Sequence, residues 1–275
     1  MMLVEKSFDT GEVVLNYVEG PDNGPPLLFF HGGVGQWKSY HEMIPAFTDN
    51  YHVYALDLRG RGKSGRTSEK YLLKAFVRDA SNFISGCLGQ PANLFGYSEG
   101  GWVSIWCTSK MPELVNSVVL FDPPIDIQRI TDRFESEEYR RSNRKYQALC
   151  GKPVDEVMKV LREDFPSWRD ETLRMFAESY TYCDSRWFDV WLEDEIPFFE
   201  GFDMDKCLRG ISCDALLIQA EPGMGGHILD SDVEHVKETN PSIVHRKIEG
   251  IGHNFDKVEP LIKATLDFLE SLEET

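Results

Sequence analysis

Ser98 lies at the centre of a pentapeptide whose residue types suit nucleophilic catalysis. Gly96, Ser98 and Gly100 form the pattern Gly-x-Ser-x-Gly, which follows an apolar run and precedes residues 102–106, the start of a predicted helix. A serine on a very tight strand-to-helix turn is held in a strained backbone conformation, and its neighbours two positions away must be small. The turn places the hydroxyl beside unpaired N–H groups at a helix N-terminus, which can face an anion. The pattern therefore predicts a nucleophile, the alternative being a tight turn without chemistry.

Short apolar runs alternate with amphipathic stretches on either side of this pentapeptide. The runs at residues 27–30, 52–56 and 118–121 are typical of strands that are covered on both faces. Residues 71–88 carry apolar side chains at helical spacing, and residues 12–18 alternate in the manner of an antiparallel edge strand. We also expect a helix near residues 38–47. Alternating strands and helices predict a mostly parallel central sheet with helices on both faces.

The alternation stops after residue 124 and resumes near residue 213. Residues 125–212 contain no clear strand and carry fourteen Phe, Tyr and Trp side chains, which predicts a helical insert. We expect some of these aromatic residues to line a pocket, the alternative being that they only pack the insert onto the core. Beyond the insert, the sequence predicts strands at residues 215–219 and 243–248, and a final helix at 256–272.

Four segments resemble the motifs of the α/β-hydrolase superfamily, in the same order and at the usual spacing. They are His31-Gly32-Gly33, Asp57-x-Arg59-Gly60-x-Gly62-x-Ser64, Gly96-x-Ser98-x-Gly100 and Gly250-x-Gly252-His253. The resemblance covers residues 10–122 and 213–272, and residues 125–212 lie where that family commonly inserts a helical cap. It implies the α/β-hydrolase fold, with residues 1–124 and 213–275 as the core and residues 125–212 as the cap. The second segment resembles a structural connection without a chemical role.

The resemblance implies roles for the residues around Ser98. His253 takes the place of the general base, which a serine hydroxyl needs at neutral pH. The backbone N–H groups of Glu99 and Gly33 take the place of the oxyanion hole. His31 is expected to orient the loop of Gly33 by hydrogen bonding. The remaining histidines are expected on the surface or in packing: His41, His52, His227, His235 and His245.

The acid that should orient His253 is where the chain departs from the family pattern. The usual aspartate position holds Gly223, which has no side chain to contact a histidine. Glu221 lies in the same loop, and Asp122 ends the strand that follows the nucleophile strand, a place that some members of the family use. A short carboxylate on a rigid strand end fixes an imidazole more easily, which favours Asp122, but both stay candidates. Further alternatives are Asp230 and Asp232.

Composition and charge restrict the expected partners and location. The 275 residues carry a net charge of −17, from 46 acidic and 29 basic side chains, which repels phosphate backbones and predicts no nucleic acid partner. No apolar stretch is long enough to span a bilayer, and the first residues lack a signal-peptide pattern. The six cysteines are scattered, without metal-binding spacing, as expected of free thiols in a reducing compartment. We therefore expect a cytoplasmic protein that needs no membrane, cofactor or metal.

These features together predict a serine hydrolase that cleaves a small, largely apolar carboxylic ester, thioester or lactone through an acyl-enzyme on Ser98. An aspartate nucleophile, which epoxide hydrolysis would need in this fold, is absent from position 98. Carbon–carbon bond hydrolysis is an alternative that uses the same triad. So is an aminopeptidase, since residues 31–35 resemble the His-Gly-Gly-Pro-Gly of proline iminopeptidases, with Val34 in place of the proline. An alternative of another class is a small-molecule receptor with little turnover.

Overall fold

A single sheet of eight strands forms the centre of the protein. A computed structural model of the chain describes residues 3–193, 197–254 and 257–273. The strands are β1 (Val4–Asp9), β2 (Val14–Glu19), β3 (Pro26–Phe30), β4 (His52–Leu56), β5 (Ala92–Tyr97), β6 (Val115–Phe121), β7 (Asp214–Gln219) and β8 (Val244–Lys247). Their order across the sheet is β1-β2-β4-β3-β5-β6-β7-β8. β1 and β2 are antiparallel to their neighbours, whereas β4, β3 and β5 to β8 run parallel to one another. This confirms the mostly parallel sheet.

The sheet is buried because successive side chains of its central strands enter two different hydrophobic cores. Leu28, Phe30 and Val118 pack into one core. Phe29 and Val119, their neighbours in sequence, pack into the other. Side chains alternate between the faces of a strand, so a sheet covered on both sides needs continuous apolar runs. These are the runs that identified the strands in the sequence.

The helices cover both faces of the sheet and its carboxyl edge. They are α1 (Leu73–Phe83), α2 (Glu99–Lys110), α3 (Ile127–Glu135), α4 (Glu137–Gln147), α5 (Val154–Asp164), α6 (Asp170–Tyr182), α7 (Asp189–Leu192), α8 (Met204–Gly210), α9 (Asp230–Thr239) and α10 (Glu259–Glu273). Helices α1, α2, α8 and α9 contribute to one core and α10 to the other. Helices α3 to α8 lie between β6 and β7, and the described residues of this segment, 122–193 and 197–213, contain no strand.

Two of the predicted elements were wrong. The segment at residues 12–18 does not form an edge strand: β2 lies between β1 and β4, and β1 is the edge. The exposed, partly charged strand β1 escaped prediction because it buries almost no side chain. Residues 38–47 do not form one helix but two short 3-10 turns, Trp37–Tyr40 and Ile44–Ala46. Pro45 explains the interruption, since proline in a helix interior removes a hydrogen bond and clashes with the preceding turn.

Other elements were predicted at nearly the right place with different ends. The predicted helix at residues 71–88 is α1 followed by a π-helical turn, Ile84–Leu88, which stops at Gly89. Gly89 has φ of 66°, a left-handed conformation that commonly ends a helix at glycine. The last helix, α10, begins at Glu259 rather than near residue 256. Residues 255 and 256, the latter part of that predicted helix, lie outside the described residues.

The parallel strands bring six chain segments to one edge of the sheet. The loops after β3 to β8 all leave from the carboxyl ends of neighbouring strands, where open α/β sheets bind ligands. The helical segment packs over this edge, for example where the Trp187 indole donates to the Glu99 carboxylate. The edge and the helical segment thus enclose the residues singled out in the sequence.

Three general properties of the described residues bear on function. Their helices include none with the length and apolar character that crossing a bilayer requires. They also contain no group of three or more His, Cys, Asp or Glu side chains placed to hold a metal ion. All six cysteines are free thiols.

Candidate active site

Ser98 sits on a strained turn between β5 and α2. Its φ is 53° and its ψ is −115°, a combination that costs free energy for a residue with a side chain. The two glycines of the pentapeptide are needed on steric grounds. A Cβ on Gly96 would lie 2.4 Å from the Gly100 carbonyl oxygen, and one on Gly100 would lie 2.1 Å from the Phe30 carbonyl oxygen. The backbone N–H of Ser98 donates to the Phe121 carbonyl at 3.0 Å, which ties the turn to β6.

His253 lies between Ser98 and a buried carboxylate. Its Nε2 is 3.1 Å from Ser98 Oγ, and its Nδ1 is 2.7 Å from Asp122 Oδ2. The Tyr97 hydroxyl donates to the His253 carbonyl oxygen at 2.9 Å, and the two rings are 5.0 Å apart between centroids. An imidazole that donates through Nδ1 to Asp122 keeps Nε2 free to accept the serine proton. The three side chains therefore form one hydrogen-bonded series.

Asp122 is held in place by backbone donors. Its side chain is fully buried, and its backbone has φ of 48°, again in the left-handed region. Oδ1 accepts from the N–H groups of Ala220 at 3.3 Å and Ile228 at 3.2 Å. Oδ2 accepts from the N–H of His227 at 2.8 Å as well as from His253. The loop after β7 thus surrounds the carboxylate with donors that orient it toward His253.

The other carboxylates considered from the sequence have different partners. Glu221 Oε2 accepts from the Gly250 N–H at 2.7 Å, and the Glu221 N–H donates to the Ile251 carbonyl at 2.7 Å. Glu221 therefore ties down the loop that carries His253 without a hydrogen bond to the imidazole. The two remaining acids lie further away: Asp230 accepts from Gln219 and Lys247, and Asp232 accepts from Arg129.

The two backbone groups expected to form an oxyanion hole lie beside Ser98. Glu99 is the first residue of α2, where the N–H groups have no acceptor within the helix. Gly33 lies in the loop after β3, and both residues line the same cavity as Ser98.

His31 connects the loops after β3 and β4. Its ring is fully buried, with Nδ1 2.8 Å from the Gly32 carbonyl oxygen and Nε2 accepting from the Leu58 N–H at 3.0 Å. Burial, aided by the nearby positive charge of Arg61, lowers the pKa of His31 to about 3. The ring is therefore neutral at pH 7, with the hydrogen on Nδ1, and it braces the loop of Gly33 as expected.

A buried group surrounds the Glu99 side chain, whereas the family resemblance implies a role only for the Glu99 backbone N–H. Arg61 Nη2 donates to Glu99 Oε1 at 2.6 Å, and Trp187 Nε1 donates to Glu99 Oε2 at 3.0 Å. Burial raises the pKa of Glu99 to about 7, against the opposing effect of Arg61. The edge of the Trp187 ring lies 3.6 Å from where a Cβ of Gly33 would be. The nucleophile helix, the oxyanion loop and the helical segment therefore meet here.

His227 was expected only on the surface or in packing, and it packs against His253. Their ring centroids are 3.9 Å apart with the planes nearly perpendicular. Burial, with a contribution from His253, lowers the pKa of His227 to about 2, so the ring is neutral. No sequence pattern distinguished His227 from the other histidines, since its position depends on the path of the loop after β7.

Two adjoining cavities meet at Ser98 and His253. They have volumes of about 230 and about 430 Å³, and the larger one lies within the range of small-molecule sites. Tyr146, Phe165 and Tyr180 from the helical segment line both cavities. Other aromatic residues of the segment pack on the core, as Phe199 does against Trp102, with ring centroids 4.8 Å apart. Some aromatic residues of the segment therefore line the cavities, and others pack the segment onto the core.

Comparison with known proteins identifies the family. The model of the alpha/beta hydrolase fold family matches residues 25–178. The 2-(acetamidomethylene)succinate hydrolase of Mesorhizobium japonicum is 28% identical over 178 residues, which span 64% of this chain and 61% of that protein. The serine hydrolase-like protein of Homo sapiens is 30% identical over 152 residues, or 54% of this chain and 69% of that protein.

The fold is shared along nearly the whole chain with a solved structure. The crystal structure of E-2-(acetamidomethylene)succinate hydrolase superposes with a TM-score of 0.80 and 22% identity, covering 98% of this chain and 100% of that one. At this identity the likeness concerns the fold, whereas the matched sequence model concerns the family. The chain therefore belongs to the α/β-hydrolase family of enzymes.

Proposed function

We propose that this protein is a serine hydrolase that cleaves a small carboxylic ester, thioester or lactone through an acyl-enzyme on Ser98. The observation that carries the proposal is the unbroken series of hydrogen bonds at the cavity wall. Asp122 Oδ2 lies 2.7 Å from His253 Nδ1, and His253 Nε2 lies 3.1 Å from Ser98 Oγ. A nucleophile, a base and an orienting acid at these distances are the parts that acyl transfer requires.

In the first half of the reaction, Ser98 Oγ attacks the substrate carbonyl carbon while His253 Nε2 takes the hydroxyl proton. Asp122 keeps the imidazole in the productive tautomer and stabilises the imidazolium that forms. The N–H groups of Glu99 and Gly33 stabilise the negative charge on the carbonyl oxygen. The bond to the leaving group then breaks, and His253 gives its proton to that group, which leaves an acyl-enzyme.

In the second half, His253 takes a proton from a water molecule as the water oxygen attacks the acyl carbon. The same two N–H groups stabilise the second oxyanion. The bond between Ser98 Oγ and the acyl carbon then breaks, and the proton on His253 returns to Ser98. The products of this half are a carboxylic acid and the free enzyme. His253 carries the proton in every step, and it already contacts Ser98.

We further propose that residues 125–212 act as a cap that covers the site. The support is that aromatic residues of this segment form walls of both cavities, which favours substrates with an apolar body. The six free cysteines support a reducing compartment, for which we propose the cytoplasm. The substrate is a small molecule, since the larger cavity has the volume of a small-molecule site.

Replacing Ser98 by Ala tests the mechanism. Ser98→Ala removes the attacking oxygen, and we expect kcat for p-nitrophenyl butyrate to fall on the order of 10⁶-fold, as when a triad acts as a unit. Thermal unfolding should be unchanged or slightly raised, because a strained turn then holds a smaller residue. Ser81→Ala on α1, whose hydroxyl donates to the Val77 carbonyl, is the matched control. A stable Ser98→Ala protein with wild-type turnover would overturn the mechanism.

Labelling with a fluorophosphonate distinguishes the proposed enzyme from a small-molecule receptor with little turnover. The proposed enzyme should be labelled at Ser98, and no label should appear on Ser98→Ala protein. A receptor with little turnover would bind small esters without hydrolysing them. Carbon–carbon bond hydrolysis and aminopeptidase activity use the same three side chains, so a panel of esters, dienone acids and peptide amides distinguishes them by kcat/KM.

A further inference from the structure

Two buried donors in the wall of the larger cavity have no acceptor. Asn143 and Trp191 are 7% and 2% exposed, and both line the cavity of about 430 Å³ that also holds Ser98. Among the residues that the structure describes, neither Asn143 Nδ2 nor Trp191 Nε1 has a hydrogen-bond partner. Buried polar groups in native proteins are nearly always hydrogen-bonded, because leaving one unpaired costs free energy of folding. Two such donors in one cavity therefore point to an acceptor that arrives with the substrate.

A positive charge lies in the same wall. Arg133 lines this cavity, and its guanidinium lies over the Tyr139 ring, 5.2 Å from the centroid. Within the described chain, the guanidinium has no carboxylate partner, although the sequence has 46 acidic residues against 29 basic ones. Its field reaches the catalytic side of the cavity, since Arg133 contributes to the lowered pKa of His227. Arg133 is exposed, so it places a hydrated cation without a carboxylate partner at the edge of the cavity.

The three donors belong to one continuous wall. The Trp191 ring packs on Phe134 with centroids 4.4 Å apart, and Phe134 packs on Tyr139 with centroids 4.5 Å apart. Arg133 precedes Phe134 and lies over that same Tyr139. Asn143 follows Tyr139 by four residues on α4, which places both on one helix face. An aromatic cluster therefore holds the indole, the amide and the guanidinium around one part of the cavity.

We propose that this wall binds a carboxylate of the substrate, away from the bond that Ser98 attacks. The proposal rests on the hydrolase function proposed above and narrows its substrate class to esters whose acyl chain ends in a carboxylate. A carboxylate accepts hydrogen bonds at two oxygens and donates none, which suits the Asn143 and Trp191 N–H groups. Arg133 supplies the matching single charge. The aromatic walls between the two ends contact the carbon chain.

The net negative charge of the protein opposes the binding of an anionic substrate. A local group of donors is therefore needed to bind a substrate carboxylate. At a net charge of −17, the protein as a whole repels anions from its surface. A preference for an anionic substrate would therefore have to come from donors inside the cavity. It would depend on the three residues named here and not on the surface at large.

A pair of matched esters tests the proposal. The first is p-nitrophenyl hydrogen glutarate, which ends in a carboxylate, and the second is its methyl ester, which has the same chain without the charge. We expect kcat/KM of the wild-type enzyme to favour the acid by about tenfold or more, because a charge-assisted contact is lost in the methyl ester. Arg133→Gln should abolish this preference by raising KM for the acid, with kcat and the methyl ester little affected. Arg141→Gln, an exposed arginine of α4, is the control.

Two further variants separate binding from folding. Asn143→Leu and Trp191→Phe remove the unpaired donors, the first at similar side-chain size and the second with a smaller ring. Each should raise KM for the acid several-fold. Asn143→Leu should do so without lowering the thermal midpoint of the ligand-free protein, since an unsatisfied group disappears, whereas the cavity left by the smaller ring in Trp191→Phe should lower it. A fall in activity toward both esters together with a lower midpoint would instead show a merely structural role and overturn the proposal.

The remaining outcomes are distinguishable. If both esters are hydrolysed without a preference, or if Arg133→Gln changes both equally, the carboxylate site is wrong while the hydrolase function stands. If neither ester is hydrolysed, the proposed esterase function fails. Calorimetry of the wild-type protein with the two intact esters then tests the carboxylate site by itself. Tighter binding of the acid that Arg133→Gln removes would support the carboxylate site, and equal binding would overturn it.

Discussion

At the scale of single residues, two carboxylates near His253 have different contacts. Asp122 bonds the imidazole directly, and three backbone N–H groups donate to its two carboxylate oxygens. Glu221 bonds the Gly250 N–H and so stabilises the loop on which His253 lies. The side chain that reaches the imidazole is short and rises from a strand end. The longer one, in the loop where the family pattern expects the acid, bonds backbone instead.

The amide variants of these two acids should therefore differ strongly. Asp122→Asn should lower kcat on the order of 10⁴-fold, because the amide favours the wrong imidazole tautomer and cannot stabilise the imidazolium. Glu221→Gln should stay close to wild type, since its amide oxygen still accepts from Gly250. Ester hydrolysis and circular dichroism melting are measured on both proteins. Normal activity in Asp122→Asn with activity lost in Glu221→Gln would reverse the proposed roles.

At the scale of elements, one buried ion pair connects three parts of the chain. Arg61 from the loop after β4, Glu99 from α2 and Trp187 from the helical segment meet in a site where all three side chains are buried. A buried charge that loses a partner is destabilising, because the remaining group stays desolvated. This contact therefore fixes the helical segment over the residues whose N–H groups are proposed to hold the oxyanion.

The Trp187 indole N–H should contribute measurably to stability. In Trp187→Phe the Glu99 carboxylate loses one buried donor, and we expect the free energy of unfolding in urea to fall by about 1–3 kcal/mol. Trp37→Phe is a matched control, because the half-buried Trp37 indole also donates to a glutamate, Glu5, but through an exposed hydrogen bond. The loss of stability in Trp37→Phe should be smaller, because water replaces the donor that Glu5 loses. Equal losses in the two variants would contradict the role assigned to Trp187.

At the scale of the whole molecule, the dominant electrostatic feature is the net charge of −17. Like charges spread over one compact surface repel one another, and this repulsion opposes folding. The described surface also carries ion pairs such as Lys6–Glu19 and Lys74–Glu200, whose contributions are individually small because both partners are hydrated. The balance of these two effects predicts how stability responds to salt.

Added salt should stabilise the protein near neutral pH. Raising NaCl from about 0.01 M to about 1 M shortens the Debye length from about 30 to about 3 Å, which screens the net repulsion. We expect the urea midpoint at pH 7 to rise over this range. Near pH 5, close to the isoelectric point of about 4.8, the gain should vanish, because only the attractive pairs remain to be screened. A midpoint that falls with salt at pH 7 would show that the surface ion pairs outweigh the repulsion.

Features that depend on local geometry could be predicted from the amino-acid sequence alone. Gly96 could be interpreted as a steric requirement of the turn at Ser98, because a Cβ there would meet the Gly100 carbonyl oxygen four residues along the chain, whereas a Cβ on Gly100 would meet Phe30 of β3. The central strands were predictable because burial on both faces requires continuous apolar runs. Prediction was wrong where local preference was weak or interrupted, at the exposed edge strand β1 and at the turns around Pro45.

Contacts between side chains that are distant in the sequence could be identified only in the folded structure. Asp122 and His253 are 131 residues apart, and Ser98 and His253 are 155 apart. Whether Asp122 or Glu221 reaches the imidazole depends on the path of the loop after β7, which surrounds one carboxylate with N–H donors and turns the other toward Gly250. The unpaired donors of the cavity wall have no sequence signature either. A missing partner is a property of packing between elements, and it becomes visible only when every neighbour of a side chain is known.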